Sequence, residues 1–138
     1  DRDRQKTAAV LDAVNPDLSA FKARGGKLIQ YHGWNDPAIP PAGSPRYAAE
    51  MRAAMGDTSG FYRLYMVPGM LHCRGGAGPG EVDWLDVLDR WVTRAEAPRS
   101  LVARAETGDA TQTLCPYPGV ARADGKGGWT CAAPKRKG

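Results

Sequence analysis

Apolar and polar positions alternate with two periods along the first 94 residues of the chain. Ala8, Leu11 and Val14 recur at helical spacing and predict a short helix over 3–14, halted by Asn15-Pro16. A second short helix is predicted over 16–24, with Asn15 as its cap, Pro16 in its first position and Gly25-Gly26 at its end. The run Lys27-Leu28-Ile29-Gln30-Tyr31-His32 reads as a strand that enters the turn-rich Gly33-Trp34-Asn35-Asp36-Pro37. A helix over 45–55 follows, capped by Ser44, opened by Pro45, closed by Gly56, and apolar at Tyr47, Met51, Ala54 and Met55. The second strand is 61–67, broken by Pro68-Gly69, and a glycine-rich loop spans 74–80. The strongest helical pattern lies over 81–94, where Trp84, Leu85, Leu88, Trp91 and Val92 form a stripe and Glu81, Asp83 and Asp86 suit the N-terminal end. Residues 95–138 carry scattered Pro and Gly and predict an irregular tail.

Strand, helix, strand, helix is the rhythm of a parallel α/β sheet, so the fold class is α/β. Two strands do not make a sheet that stands alone; one of them needs a partner or leaves a bare apolar edge. The chain therefore reads as part of a larger sheet, with 1–94 supplying strand–helix units and 95–138 the tail. The opening Asp1-Arg2-Asp3-Arg4, without an initiator Met or a signal-peptide pattern, reads as the start of an excised or processed piece. No apolar run approaches the roughly 18 residues that span a bilayer, which argues against a membrane partner.

Charge changes this picture little. The chain of 138 residues has a formal charge of +4, and three of those charges belong to Lys135, Arg136 and Lys137 at one end. A nucleic-acid binder spreads Lys and Arg over a face with aromatics or donors for bases, so a nucleic-acid partner is not expected. The three cysteines are more informative. Cys115 and Cys131 are 16 positions apart in a Pro/Gly-rich stretch where a disulfide would contribute roughly 3 kcal/mol. Cys73 is then left over, and an unpaired Cys in a secreted-type chain points to a partner elsewhere. A zinc site is disfavoured, because His72 beside Cys73 cannot easily share one ion.

The residues able to do chemistry are few. Both histidines sit at strand ends, where open α/β sheets gather functional groups. Asp36 follows the first strand and His72 the second, 36 positions on, which is one strand-to-strand crossover. A carboxylate beside an imidazole is the acid–base half of a serine or cysteine hydrolase, and acid before histidine is the α/β-hydrolase chain order. The nucleophile has no candidate: there is no Gly-x-Ser-x-Gly, Ser44 serves better as a cap, Ser19, Ser59 and Ser100 lack a glycine-flanked turn, and Cys73 points away from its neighbour His72. Each residue also has a plainer reading. His72 fits a structural loop histidine, Asp36 fits turn chemistry in Asn-Asp-Pro, and His32 fits a packed or hydrogen-bonded strand residue with no catalytic part. The 74–80 glycines lack a phosphate-loop ending and fit a flexible loop that lets His72 reach its site.

Five blocks carry a resemblance. Asp17-Leu18-Ser19-Ala20-Phe21 with Arg24-Gly25-Gly26-Lys27-Leu28-Ile29, then Tyr31-His32-Gly33-Trp34-Asn35-Asp36, resemble the tannase/feruloyl esterase family. Val67-Pro68-Gly69-Met70-Leu71-His72-Cys73 with Gly75-Gly76, Trp91-Val92 with Ala97-Pro98, and Leu114-Cys115-Pro116-Tyr117-Pro118 follow in the family's order. The resemblance implies the C-terminal portion of an α/β-hydrolase domain, hydrolysis of aromatic carboxylic esters, and a secreted or periplasmic location. It places the triad acid on Asp36 and the triad histidine on His72. It further implies that Cys73 pairs with a cysteine beside the nucleophilic serine in an upstream segment, the partner this chain would need. The family's serine, oxyanion-hole donors and lid with its calcium site belong to that upstream region, so no cofactor is expected in this chain. Gln112-Thr113 stands where the family has Arg-Pro, and the stretch between Cys115 and Cys131 is short. A chain with only Asp36 and His72 is expected to be silent by itself. The rival readings are a non-catalytic module that pairs through its open sheet edge and a small basic domain that binds anions through the 74–80 loop and the 135–137 tail.

Overall fold

The computed structural model describes residues 2–134, so the basic run Lys135-Arg136-Lys137 lies outside the described residues. The elements, in chain order, are α1 (Arg2–Leu11), α2 (Ser19–Ala23), β1 (Leu28–Gly33), α3 (Gly43–Met55), β2 (Tyr62–Val67), α4 (Trp84–Arg94), β3 (Leu101–Arg104), β4 (Thr111–Leu114), β5 (Val120–Ala123) and β6 (Trp129–Ala132).

β1 and β2 pair in parallel, with His32 opposite Met66 and Gly33 opposite Val67, so the two strands end level with each other. β2 is apolar at nearly every position because both of its faces are covered, as a parallel strand requires. On one face Tyr62, Leu64 and Met66 pack with Phe61 against Ala48 and Met51 of α3. On the other, Tyr65 and Val67 pack with Met70 against Ala103 and Leu114 of the tail. The alternation along β2 thus builds two cores on one strand. α4 lies on the second face, where the Trp84 ring stacks on Tyr31 of β1 at 4.5 Å and leans on Tyr65 of β2.

Several predicted boundaries are corrected. α2 begins at Ser19, not at 16, because successive side-chain turns hold the preceding backbone: Asp17 N–H donates to Asn15 Oδ1 and Ser19 N–H to Asp17 Oδ1. Its end is as read, with Gly25 at φ 77° and the Gly25 and Gly26 amides donating back to Lys22 and Phe21. α3 starts at Gly43, and Ser44 caps nothing; it is buried in the first turn. α4 starts at Trp84 because Glu81 is drawn into a two-bond bridge with Arg104, and Asp83 caps the helix through the Asp86 amide. Within α4 the buried stripe is Val87 and Trp91, whereas Leu85 and Val92 are 81% and 60% exposed. α1 ends at Leu11, three residues short of the prediction, since Val10, Leu11 and Val14 pack on nothing that would hold a further turn.

The tail is not irregular. It forms two antiparallel hairpins, β3–β4 and β5–β6, and Cys131 of β6 is disulfide-bonded to Cys115. The hairpin strands are four residues each, too short for a period of two to stand out between turn residues. Asp124 closes the second turn by accepting the Lys126 and Gly128 amides on Oδ1.

Candidate active site

The level ends of β1 and β2 launch two loops that are stitched together by backbone groups. Trp34 N–H donates to Val67 O at 3.0 Å, Asn35 N–H to Met70 O at 3.1 Å, and Gly69 N–H to Asn35 Oδ1 at 3.2 Å. Gly33 permits this proximity, because a Cβ built there would overlap the carbonyl oxygens of Met70 and Leu71. The glycines of 74–80 suggest a flexible tether, but the loop is held in place. It folds back on the segment before His72 through Leu71 N–H to Gly75 O at 3.0 Å, the Met70–Gly76 bridge, and Gly78 N–H to Gly69 O at 3.3 Å.

This stitching brings Asp36 and His72 together. Asp36 Oδ2 lies 2.8 Å from His72 Nδ1, and only 2% of the Asp36 side chain is exposed, against 53% of His72. The other oxygen, Oδ1, accepts the Ala38 amide at 2.8 Å and the Ile39 amide at 2.9 Å, so the Asn-Asp-Pro turn fixes the carboxylate plane. Desolvation pushes the Asp36 pKa up. Bonds from the Ile39 amide, the His72 ring, the Ala38 amide and the His32 ring outweigh it and hold the group well below the usual carboxylate range. Turn chemistry and acid–base geometry are therefore the same feature. Among the described residues His72 Nε2 has no hydrogen-bond partner. No serine hydroxyl is hydrogen-bonded to His72 among the described residues.

Cys73, next to His72, is exposed and unbonded, with φ 63° in the left-handed region that a non-glycine residue rarely occupies. Cys115 and Cys131 are bonded to each other. An apolar cavity of about 430 Å³ lies between Trp34, Pro68, Leu114, Tyr117 and Trp129, but neither Asp36 nor His72 lines it. His32 is the hydrogen-bonded strand residue that the sequence suggests, but sequence reading missed its partners. His32 Nε2 is 3.0 Å from Asp36 Oδ2, and His32 Nδ1 is 2.8 Å from Ser44 Oγ. The available signal was the pair Gln30 and His32, two polar side chains at a spacing of two on one strand face.

An acid and an imidazole joined at the carboxyl ends of adjacent parallel strands is the arrangement on which α/β-sheet hydrolases are built. Comparison with known proteins narrows that class. Residues 1–136 match the family described as tannase and feruloyl esterase. The chain belongs to the tannase and feruloyl esterase family. It is 44% identical over 134 residues to the mono(2-hydroxyethyl) terephthalate hydrolase of Piscinibacter sakaiensis, covering 88% of this chain and 22% of that protein. It is 34% identical over 124 residues to the tannase of Aspergillus oryzae, covering 78% and 21%. Among solved structures, tannin acyl hydrolase from Aspergillus niger superposes with a TM-score of 0.83 at 29% identity, over 96% of this chain and 27% of that one. The chain thus spans about a fifth of the length of the curated relatives it matches.

Proposed function

We propose that this chain is the C-terminal, acid–base part of a carboxylic ester hydrolase that acts on aromatic esters. The 2.8 Å contact between Asp36 and His72 carries the reading. Asp36 holds His72 with its proton on Nδ1 and stabilises the imidazolium that forms when Nε2 takes the proton of a serine nucleophile. That serine attacks the ester carbonyl, His72 returns the proton to the leaving alcohol, and the same ring then activates water to release the acid. In this reading the serine, the oxyanion donors and the lid with its calcium site stand on a preceding segment. The length of the relatives supports this, as does the far edge of β1, which carries no strand among the described residues. Cys73 is assigned to a disulfide with that segment. Its exposure beside His72 suits such a bond, and the Cys115–Cys131 disulfide suits a secreted or periplasmic protein.

The galloyl- or feruloyl-type acid is assigned from the family alone; the geometry bears on the ester chemistry. The open β1 edge also favours the rival module that adds a partner strand there. The two separate in one experiment, in which the chain is produced with the coding sequence that precedes it and assayed on aryl esters. The hydrolase reading expects His72→Ala to lower kcat by about 10⁴-fold, and reductant to free Cys73 from a partner cysteine. Full turnover in His72→Ala, or a Cys73 thiol that is free before reduction, favours the module.

A further inference from the structure

The Asp36 carboxylate uses all four of its acceptor sites. Oδ1 takes two backbone amides, and Oδ2 takes two imidazoles, His72 at 2.8 Å and His32 at 3.0 Å. The second imidazole is unexplained by the hydrolase reading, which needs one. His32 is held near the end of β1 with 12% of its side chain exposed, against 53% for His72.

A polar chain reaches His32 from β2, and its donors run in one direction. Tyr62 is buried, which pushes its phenol pKa up and keeps it a donor. Its hydroxyl donates to Gln30 Oε1 at 2.6 Å. With that oxygen occupied, the Gln30 amide turns its Nε2 to Ser44 Oγ, to which it donates at 2.9 Å. Ser44 therefore accepts from Gln30 and has one proton to give, and the ring nitrogen 2.8 Å away is His32 Nδ1. A nitrogen that accepts at Nδ1 leaves the ring proton on Nε2, which faces Asp36 Oδ2. Ser44 is thus placed by the first turn of α3 to set a histidine tautomer, which accounts for its burial where a helix cap was predicted.

We propose that His32 is a positioning residue of the hydrolytic site: locked by Tyr62, Gln30 and Ser44 in the tautomer with its proton on Nε2, it donates to Asp36 and fixes the oxygen that orients His72. The two turn amides set the plane of the carboxylate, and His32 stops Oδ2 from swinging away from His72. This inference rests on the hydrolase reading of Asp36 and His72.

The test is side-chain ¹⁵N NMR of the chain joined to its preceding segment, with the signals lost in His32→Leu and His72→Ala assigning the two rings. In the parent, His32 should carry its proton on Nε2 and His72 on Nδ1. His32→Leu should leave His72 in a mixture of tautomers. In the chain joined to its preceding segment the same variant should lower kcat on the order of 10–100-fold, as for other groups that orient a reacting ligand, with KM changed by less than about two-fold. His32→Gln, whose Nε2 can replace the donor, should restore the single His72 tautomer and most of kcat. A parent His32 protonated on Nδ1 overturns the proposal. So does His32→Leu that lowers the melting temperature while leaving the His72 tautomer and kcat unchanged. Failure of the hydrolase reading is separately visible, since turnover would then survive His72→Ala.

Discussion

Gly33→Ala tests whether the fit of two backbones sets the distance between the acid and the base. A Cβ at Gly33 would sit 2.7 Å from the Met70 carbonyl carbon, in addition to its overlap with two carbonyl oxygens. Comfortable carbon–carbon contact is about 3.5–4.0 Å, so the loop that leads to His72 must retreat by about 1 Å. The same retreat lengthens the 2.8 Å contact from Asp36 to His72 past hydrogen-bond range, to about 3.8 Å. A displacement of that size at a reacting group costs on the order of 100-fold in rate, and the overpacking itself destabilises by about 1–3 kcal/mol. The assay is kcat on an aryl ester, with thermal unfolding alongside, for the chain joined to its preceding segment. Gly43→Ala is the control, because a Cβ there meets nothing within 4 Å. It should leave kcat and stability at or above the parent values. If Gly33→Ala matches Gly43→Ala in kcat, the close approach at Gly33 does not hold the pair together.

Two further outcomes follow from the tail and from the buried carboxylate. Replacing Cys115 and Cys131 by alanine removes a crosslink across 16 positions and should cost roughly 3 kcal/mol in urea unfolding; a loss under about 1 kcal/mol would show that the hairpins hold themselves. Asp36 has its pKa lowered by folding, so its ionised form stabilises the fold above the unfolded value of about 3.9 and that contribution fades as pH falls through the folded value. The stability gap between parent and Asp36→Asn should therefore narrow as pH falls below about 4. A gap that stays level or widens below about pH 4 would contradict the assignment of Asp36 as an ionised acceptor.

The parts of this fold that could be read from sequence are those fixed by local pattern. β1, β2 and α3 lie within two residues of their predicted bounds because each has its own periodicity and its own Gly or Pro stop. The parts that could not be read depend on distant partners. Glu81 leaves the predicted helix because Arg104, far along the chain, offers its backbone a bridge. The tail hairpins have four-residue strands whose inward residues, such as Ala103 and Leu114, are identified only by the core they meet. The site divides the same way. The contact between Asp36 and His72 was legible from strand ends and crossover spacing. Ser44 was not, because a serine before Pro45 looks like a cap until His32 is seen against its hydroxyl.

Asp36→Asn, measured for kcat and KM on an aryl ester with the preceding segment in place, addresses the pairing of acid and imidazole most directly. The amide keeps the shape of the turn but can offer its N–H to His72 Nδ1, which forces the wrong tautomer. The expected result is a kcat about 10⁴-fold below the parent with KM nearly unchanged. A variant that turns over within about tenfold of the parent would mean that His72 does not depend on Asp36 for its chemistry.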